Sequence, residues 1–313
     1  MTNMIDRVRT WFERRARRAR RLKEERDFAL LNERKARRVP EQGLDLARAR
    51  YFLARKQTSA AIEALKEEIR YFPDNAEARA LLAGIDKPAE DPKAVSSDPE
   101  FLEIYEVARK YTMLWPKRLA SLFERAKDVC ARGVPGNFVE CGVAAGGSSA
   151  LLATVLSRKS KEPRKLFSCD TFEGMPAPTE ADRHGTLDAM QVGWGAGTCA
   201  APIDSLMEAC RTLGVESYVE PLKGLFSETL PVHREHIGQI AFLHMDGDWY
   251  ESTRDILLNL YDQVAVGGII QIDDYGFWEG CRRAVTEFVE ARNIKLDLHQ
   301  IDETGVWFVK PAN

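Results

Sequence analysis

Phe138-Val139-Glu140-Cys141-Gly142-Val143-Ala144-Ala145-Gly146-Gly147-Ser148-Ser149 reads as a short buried strand that runs through a glycine-rich turn into a helix. Gly142, Gly146 and Gly147 lack the Cβ atoms that would keep backbone N–H groups away from a ligand. Val143 lies in the turn, and Ser148 and Ser149 stand where a helix N-terminus offers unpaired donors and a positive dipole. A small anionic or zwitterionic ligand is expected there. The spacing is E-x-G-x-x-x-G-G, which differs from the G-x-G-x-x-G of dinucleotide folds. Glu140 precedes the first glycine and suits a cationic group beside a carboxylate, a pairing found in the methionyl end of S-adenosylmethionine.

Working outward, Lys165 to Cys169 is a second short strand, and Asp170 follows it at a position where a carboxylate binds ribose hydroxyls across the strand ends. Strand and helix patterns then alternate: a helix from Pro202 to Leu213, strands near Val219 to Lys223 and Ile240 to Met245, and a helix from Ser252 to Val264. A strand from Gly268 to Ile272, a helix from Trp278 to Arg292, and strands from Lys295 to Ile301 and Val306 to Val309 complete the series. Such alternation predicts an α/β fold, a doubly wound and mainly parallel sheet with helices on both faces and ligands outside the carboxyl ends of the strands. The Gly-rich stretch from Glu173 to Ala201 is expected to be a functional loop covering the site, with Trp194 a candidate for stacking on a sugar.

Asp246-Gly247-Asp248 and Asp273-Asp274-Tyr275 follow two successive strands, so adjacent parallel pairing would bring their carboxylates together. Like charges so close require a cation or protons to offset them. Oxygen ligands without Cys or His point to Mg²⁺, with Mn²⁺ and Ca²⁺ as competitors, and away from zinc. Asp246 or Asp248 is the expected proton acceptor, with His244 third. Tyr275 and Trp278 are candidates to line an acceptor groove, and His233-x-x-His236 reads as a solvated pair without acidic partners.

The chain has 313 residues, 44% of them hydrophobic and 30% charged, and contains no apolar run approaching a membrane span. Without an apolar signal core at the N-terminus, a cytoplasmic location is expected. Six scattered cysteines form no C-x-x-C pair and read as reduced, packed thiols. Net charge is −3, but residues 1–40 hold 14 Lys and Arg against 6 Asp and Glu, a local +8 that leaves −11 elsewhere.

Four regions follow. Residues 1–40 predict a basic amphipathic helix, from Ile5 to about Leu31, with a loose seam of Ile5, Val8, Phe12, Ala19 and Leu22. It would pair subunits, or contact an anionic membrane surface through Trp11 and Phe12. No base-reading module accompanies the arginines, so nucleic acid is not an expected partner. Residues 41–87 resemble a tetratricopeptide unit of two amphipathic helices, with Pro73-Asp74 opening a third. So short an array must pack on a neighbour, which suggests a homo-oligomer or a protein partner such as a glycan assembly enzyme. Residues 88–99 read as a linker, and 100–313 as the α/β domain, introduced by helices at Phe101 to Tyr111 and Pro116 to Ala131.

Five motifs, in order, resemble the macrocin O-methyltransferase (TylF/MycF) family: Phe138 to Ser149, Asp170 to Pro176, Leu222 to Pro231, Met245 to Thr253, and Gly267 to Gly276. This resemblance covers about residues 100 to 313. It implies a class I S-adenosylmethionine fold and Mg²⁺-dependent methylation of a hydroxyl on a sugar, glycosylated small molecule or glycan. By motif match Asp246, Asp273 and Asp274 would ligate the metal. Glu140, Gly142, Val143, Gly146, Ser148, Ser149, Asp170, Thr171, Phe172, Glu173, Gly174, Gly224, Phe226 and Asp246 would hold the cofactor, with Thr112 and Met113 covering it. Catechol-type relatives carry a lysine where this chain has Trp249, so the base must differ. The alternative is a scaffold whose methyltransferase-like domain is not catalytic.

Overall fold

The computed structural model describes residues 22–35, 40–54, 58–84, 91–184, 187–190 and 194–312. They form two compact units: residues up to 84 with 189, 190 and 194, and the remainder from 91 onward. The expected N-terminal helix is described only over 22–35 (α1), where Leu22 is exposed; the rest of its seam lies outside the described residues.

In the first unit α2 (Leu44–Ala54) packs on α3 (Thr58–Tyr71), and α4 (Ala76–Gly84) follows. Leu46, Ala49 and Phe52 meet Ala61, Ile62 and Leu65 in its core. Glu68 is almost fully buried because its carboxylate accepts from the free N–H groups of Gly43 and Leu46 that open α2. Asn75, one residue beyond the expected Pro73-Asp74 opening, caps α4 by accepting from Ala78 N.

The second unit begins inside the expected linker. Asp91 caps a short α5 (Pro92–Val95), and Asp98 caps α6 (Pro99–Ala108), each followed by proline at the first helical position. Helix α7 (Pro116–Arg132) ends at Gly133, whose φ of +65° closes the left-handed cap. Then come β1 (Asn137–Cys141), α8 (Gly147–Lys159), β2 (Leu166–Asp170), a two-residue hairpin of β3 (Arg183–His184) and β4 (Leu187–Asp188), and α9 (Ile203–Thr212). The chain continues through β5 (Val219–Lys223), α10 (Phe226–Ile237), β6 (Ile240–Met245), α11 (Tyr250–Leu260), β7 (Val264–Ile272), α12 (Glu279–Ala291), β8 (His299–Gln300) and β9 (Val306–Val309).

Seven strands form one sheet in the order β5-β2-β1-β6-β7-β9-β8. The first five are parallel; β9 runs antiparallel to β7, and β8 to β9. Every residue of β6 is buried, as a strand with helices on both faces requires. Helix α10 has no counterpart in the sequence reading: Pro231 sits inside it and disguises its periodicity. The expected strand from Lys295 to Ile301 shrinks to β8. Because β1 leads through α8 to β2 on one side while β6 joins it on the other, the order reverses between β1 and β6, and a crevice opens at their carboxyl ends.

Candidate active site

Three turns at neighbouring strand ends carry a non-glycine residue at positive φ: Ala144 after β1 (+47°), Phe172 after β2 (+53°) and Asp248 after β6 (+55°). Each costs about 1 kcal/mol, and such strain gathers where a backbone is shaped for function.

The glycine turn is built differently from expectation. A Cβ on Gly142 would lie 1.8 Å from the backbone oxygen of Asp246, one on Gly146 2.5 Å from Leu206 Cα, and one on Gly147 2.3 Å from the backbone oxygen of Ala108. These glycines therefore let β6, α9 and α6 close on the turn; they do not clear space for a ligand. Asp170 shapes the same turn, its Oδ2 accepting from Val143 N at 2.7 Å and Ala144 N at 3.2 Å, while Oδ1 accepts from Phe172 N at 2.7 Å. Gly146 opens α8 without a side-chain cap, and Ser148 and Ser149 in its first turn are buried. Gly147 N donates to Tyr111 O, which sets Thr112 beside the N-terminus of α8. Gly224 follows β5 with its N–H on Asp170 O, and Phe226 opens α10 against the Gly247 turn. Thr171 donates to Gly174 O at 2.6 Å, and Glu173 pairs with Lys223 on the exposed rim.

Glu140 does not face the crevice. It is fully buried, its Oε2 accepts from Ser149, and its Oε1 lies 2.8 Å from His244 Nδ1. The in-register pairing of Ser168, Glu140, His244 and Gln271 across β2, β1, β6 and β7 turns these residues into one buried polar row. This corrects both expectations for the pair: Glu140 is not placed to meet a cofactor ammonium, and His244, fully buried on Glu140, is not placed to take a substrate proton.

The acids at the ends of β6 and β7 do converge. Among the described residues, Asp246, Asp248 and Asp274 each offer an oxygen within 4.8 Å of the others. Asp248 N donates to Asp274 Oδ2 at 3.2 Å, and Trp278 Nε1 donates to Asp248 Oδ1 at 2.9 Å. Asp273, expected as the third ligand, carries a charge pair with Arg118. Burial, joined by the charges of Asp273, Asp274 and Asp248, pushes the Asp246 carboxyl well above the usual range. Asp248 rises likewise, from burial and then the Asp274 charge, and Asp274 is pushed up to about 7 by burial and then Asp273. The carboxylates of Asp246, Asp248, Asp273 and Asp274 gather beside one guanidinium that Asp302 also holds, with no Cys or His in the group, so the set fits a hard divalent cation and disfavours zinc.

The long loop is tethered to this pole. Asp182, fully buried, accepts from Thr179 N and from Tyr250 N at the start of α11. Trp249 is buried with its indole on Pro176 O, and it packs edge-on against Trp278. Trp278 is thus packed and orienting, where an acceptor-lining role was expected; Trp194 clusters with the first unit. His236 belongs to α10 and does have an acidic partner, Glu220, at 2.6 Å. Arg118 and Asp182 have no counterpart among the site residues expected from the sequence. For Arg118 the available signal was a charge on the apolar stripe it shares with Leu122 and Ala126.

The macrocin-O-methyltransferase (TylF) family model matches residues 66–310, beginning inside α3 and so earlier than the motifs suggested. The chain is 36% identical to 8-demethyl-8-(2,3-dimethoxy-alpha-L-rhamnosyl)-tetracenomycin-C 4'-O-methyltransferase of Streptomyces olivaceus, over 68% of this chain and 80% of that one. It is 30% identical to mycinamicin III 3''-O-methyltransferase of Micromonospora griseorubida, over 64% and 79%. Among solved structures it resembles the O-methyltransferase NovP, with TM-score 0.59 and 33% identity over 64% of this chain and 83% of that one. The calicheamicin methyltransferase CalS11, at TM-score 0.51 and 20% identity over 72% and 98%, shares the fold. The chain belongs to the macrocin-O-methyltransferase (TylF) family and is an O-methyltransferase.

Proposed function

We propose that this enzyme transfers the methyl group of S-adenosylmethionine to a hydroxyl on the sugar of a glycosylated small molecule, with a divalent cation, Mg²⁺ or Mn²⁺, at the acid cluster. The observation that carries the reading is the placement of the frustrated carboxylates at the end of β6, whose Asp246 backbone oxygen abuts Gly142 of the donor turn. Relatives whose names specify O-methylation of a rhamnosyl or mycinamicin scaffold support the acceptor class.

Bound S-adenosylmethionine supplies an electrophilic methyl on a sulfonium. The uncapped N-terminus of α8 and the Val143–Ala144 turn shaped by Asp170 would receive its polar end, with Tyr111-Thr112-Met113 as its cover. A divalent cation, when bound, acts as a Lewis acid that eases ionisation of a hydroxyl otherwise too weakly acidic to react. Asp246 and Asp274, members of both the expected and the observed sets, would hold it, with Asp273 as third carboxylate. Asp248 accepts the hydroxyl proton: the Trp278 indole fixes one of its oxygens, and the other remains for the substrate. The segment from Pro176 to Asp182, tethered to Trp249 and Tyr250, shields the same pole from water.

The scaffold alternative has no observation in its favour once the chain is placed in a methyltransferase family. The test is transfer of labelled methyl from S-adenosylmethionine to a panel of rhamnosides, other deoxysugar glycosides and catechols, with a parallel chelator series. Transfer to a glycoside that stops with chelator and returns with Mg²⁺ is expected. Transfer unaffected by chelator, or confined to catechols, overturns the proposal.

A further inference from the structure

Arg118 is an unusual residue to find beneath this site. Its side chain is 4% exposed on α7, within a helix face otherwise made of Leu119, Leu122 and Phe123. The guanidinium is held from one side by Asp302, with Nε on Oδ2 at 2.7 Å and Nη2 on Oδ1 at 2.9 Å, and by Thr304 Oγ1. Asp302 Oδ1 also accepts from Thr304 N and Gly305 N, each at 3.0 Å, so the turn between β8 and β9 is closed around its own carboxylate. A Cβ on Gly305 would lie 2.3 Å from Arg118 Nε, which shows how tightly that turn is shut on the guanidinium. Gly276 N donates to Thr304 O at 2.7 Å, tying the turn to the segment that begins with Asp273 and Asp274. From its other side Arg118 pairs with Asp273.

We infer that Asp302, Arg118 and Asp273 form the outer support of the cation site: the C-terminal turn fixes Arg118, and Arg118 fixes Asp273 against Asp246 and Asp274. The inference rests on reading the acid cluster as a cation site. Arg118 suits this role because a planar fork that spends two N–H groups on one carboxylate is held in direction as well as in place, which an ammonium cannot match. Its fixed positive charge is already divided between Asp302 and Asp273, which leaves the acid cluster an excess of negative charge for a divalent ion. Arg118 and Asp302 are positioning residues; neither belongs to the cluster of ligand oxygens.

The experiment is a Mn²⁺ titration of the full chain, followed by the electron paramagnetic resonance of the free ion, with S-adenosylhomocysteine affinity and thermal melting measured alongside. Asp302→Asn and Arg118→Lys should each weaken Mn²⁺ binding by about 10- to 100-fold, the range common for partners behind a metal ligand. Gly305→Ala, which displaces the guanidinium without altering any charge, should weaken it in the same direction. S-adenosylhomocysteine affinity should stay that of the wild type. Variants that melt like the wild type and bind Mn²⁺ as tightly would show a clamp for the C-terminal hairpin only and overturn the inference. A parallel loss of S-adenosylhomocysteine binding would also overturn it, as general distortion. Absence of Mn²⁺ binding by the wild type would remove the cation site itself.

Discussion

The glycine turn after β1 and the acid cluster after β6 and β7 lie at the same pole of one sheet, yet they meet opposite rules. In the glycine turn every conspicuous residue has an internal partner: Gly142, Gly146 and Gly147 make room for protein atoms, Asp170 accepts turn N–H groups, and Glu140 is bound by Ser149 and His244. In the acid cluster like charges crowd together, and the guanidinium of Arg118 offsets them only in part. A self-satisfied region maintains its shape without ligand. A frustrated one holds its observed geometry when a cation or bound protons offset the like charges.

The sharpest way to break this contrast is to remove an acid and a glycine in turn. Asp246→Ala should lower kcat/KM by about 1,000-fold or more, since it removes a ligand of the proposed cation. It should also leave the metal-free protein no less stable, because a like charge is relieved; marked unfolding would show that the acid is structural. Gly142→Ala should do the reverse, costing about 3 kcal/mol in unfolding experiments through its φ of +93° and the clash with Asp246 O. Trp278→Phe deletes the N–H that orients Asp248 and should lower kcat by about 10-fold, the worth of a hydrogen bond to a charged group, with KM little changed.

The pH dependence sharpens the same contrast by a smaller amount. Asp246, Asp248 and Asp274 titrate above their unfolded values, so the folded protein holds protons that the unfolded chain releases. Their contribution is fully present below the ordinary carboxylate range, and the share of Asp274 is lost as pH rises through about 7. Metal-free protein should therefore melt at a lower temperature at about pH 8 than at about pH 5, and the stabilisation given by Mg²⁺ should grow over that interval. A Mg²⁺ effect independent of pH would contradict the charge assignment.

Strand-to-helix alternation and acids at successive strand ends made the sheet and the meeting of Asp246 with Asp274 legible before any coordinates, because both depend on periodicity and topology. Helix α10 was hidden by Pro231, a residue that ordinarily interrupts a helix. The glycines were read correctly as special but assigned the wrong neighbour, since a sequence shows that a Cβ is missing and not what fills its place. Glu140 and His244 are partners 104 residues apart, and Arg118 and Asp302 are 184 apart; such pairs exist only once the register is set. Charges on apolar faces were the visible trace of both.

The most direct measurement is the anomalous scattering of crystals grown with Mn²⁺ and S-adenosylhomocysteine. The account predicts one strong peak in contact with oxygens of Asp246 and Asp274, beside nucleoside density at the turn following β1. A peak elsewhere, or bound S-adenosylhomocysteine with no metal at the acids under saturating Mn²⁺, would contradict it.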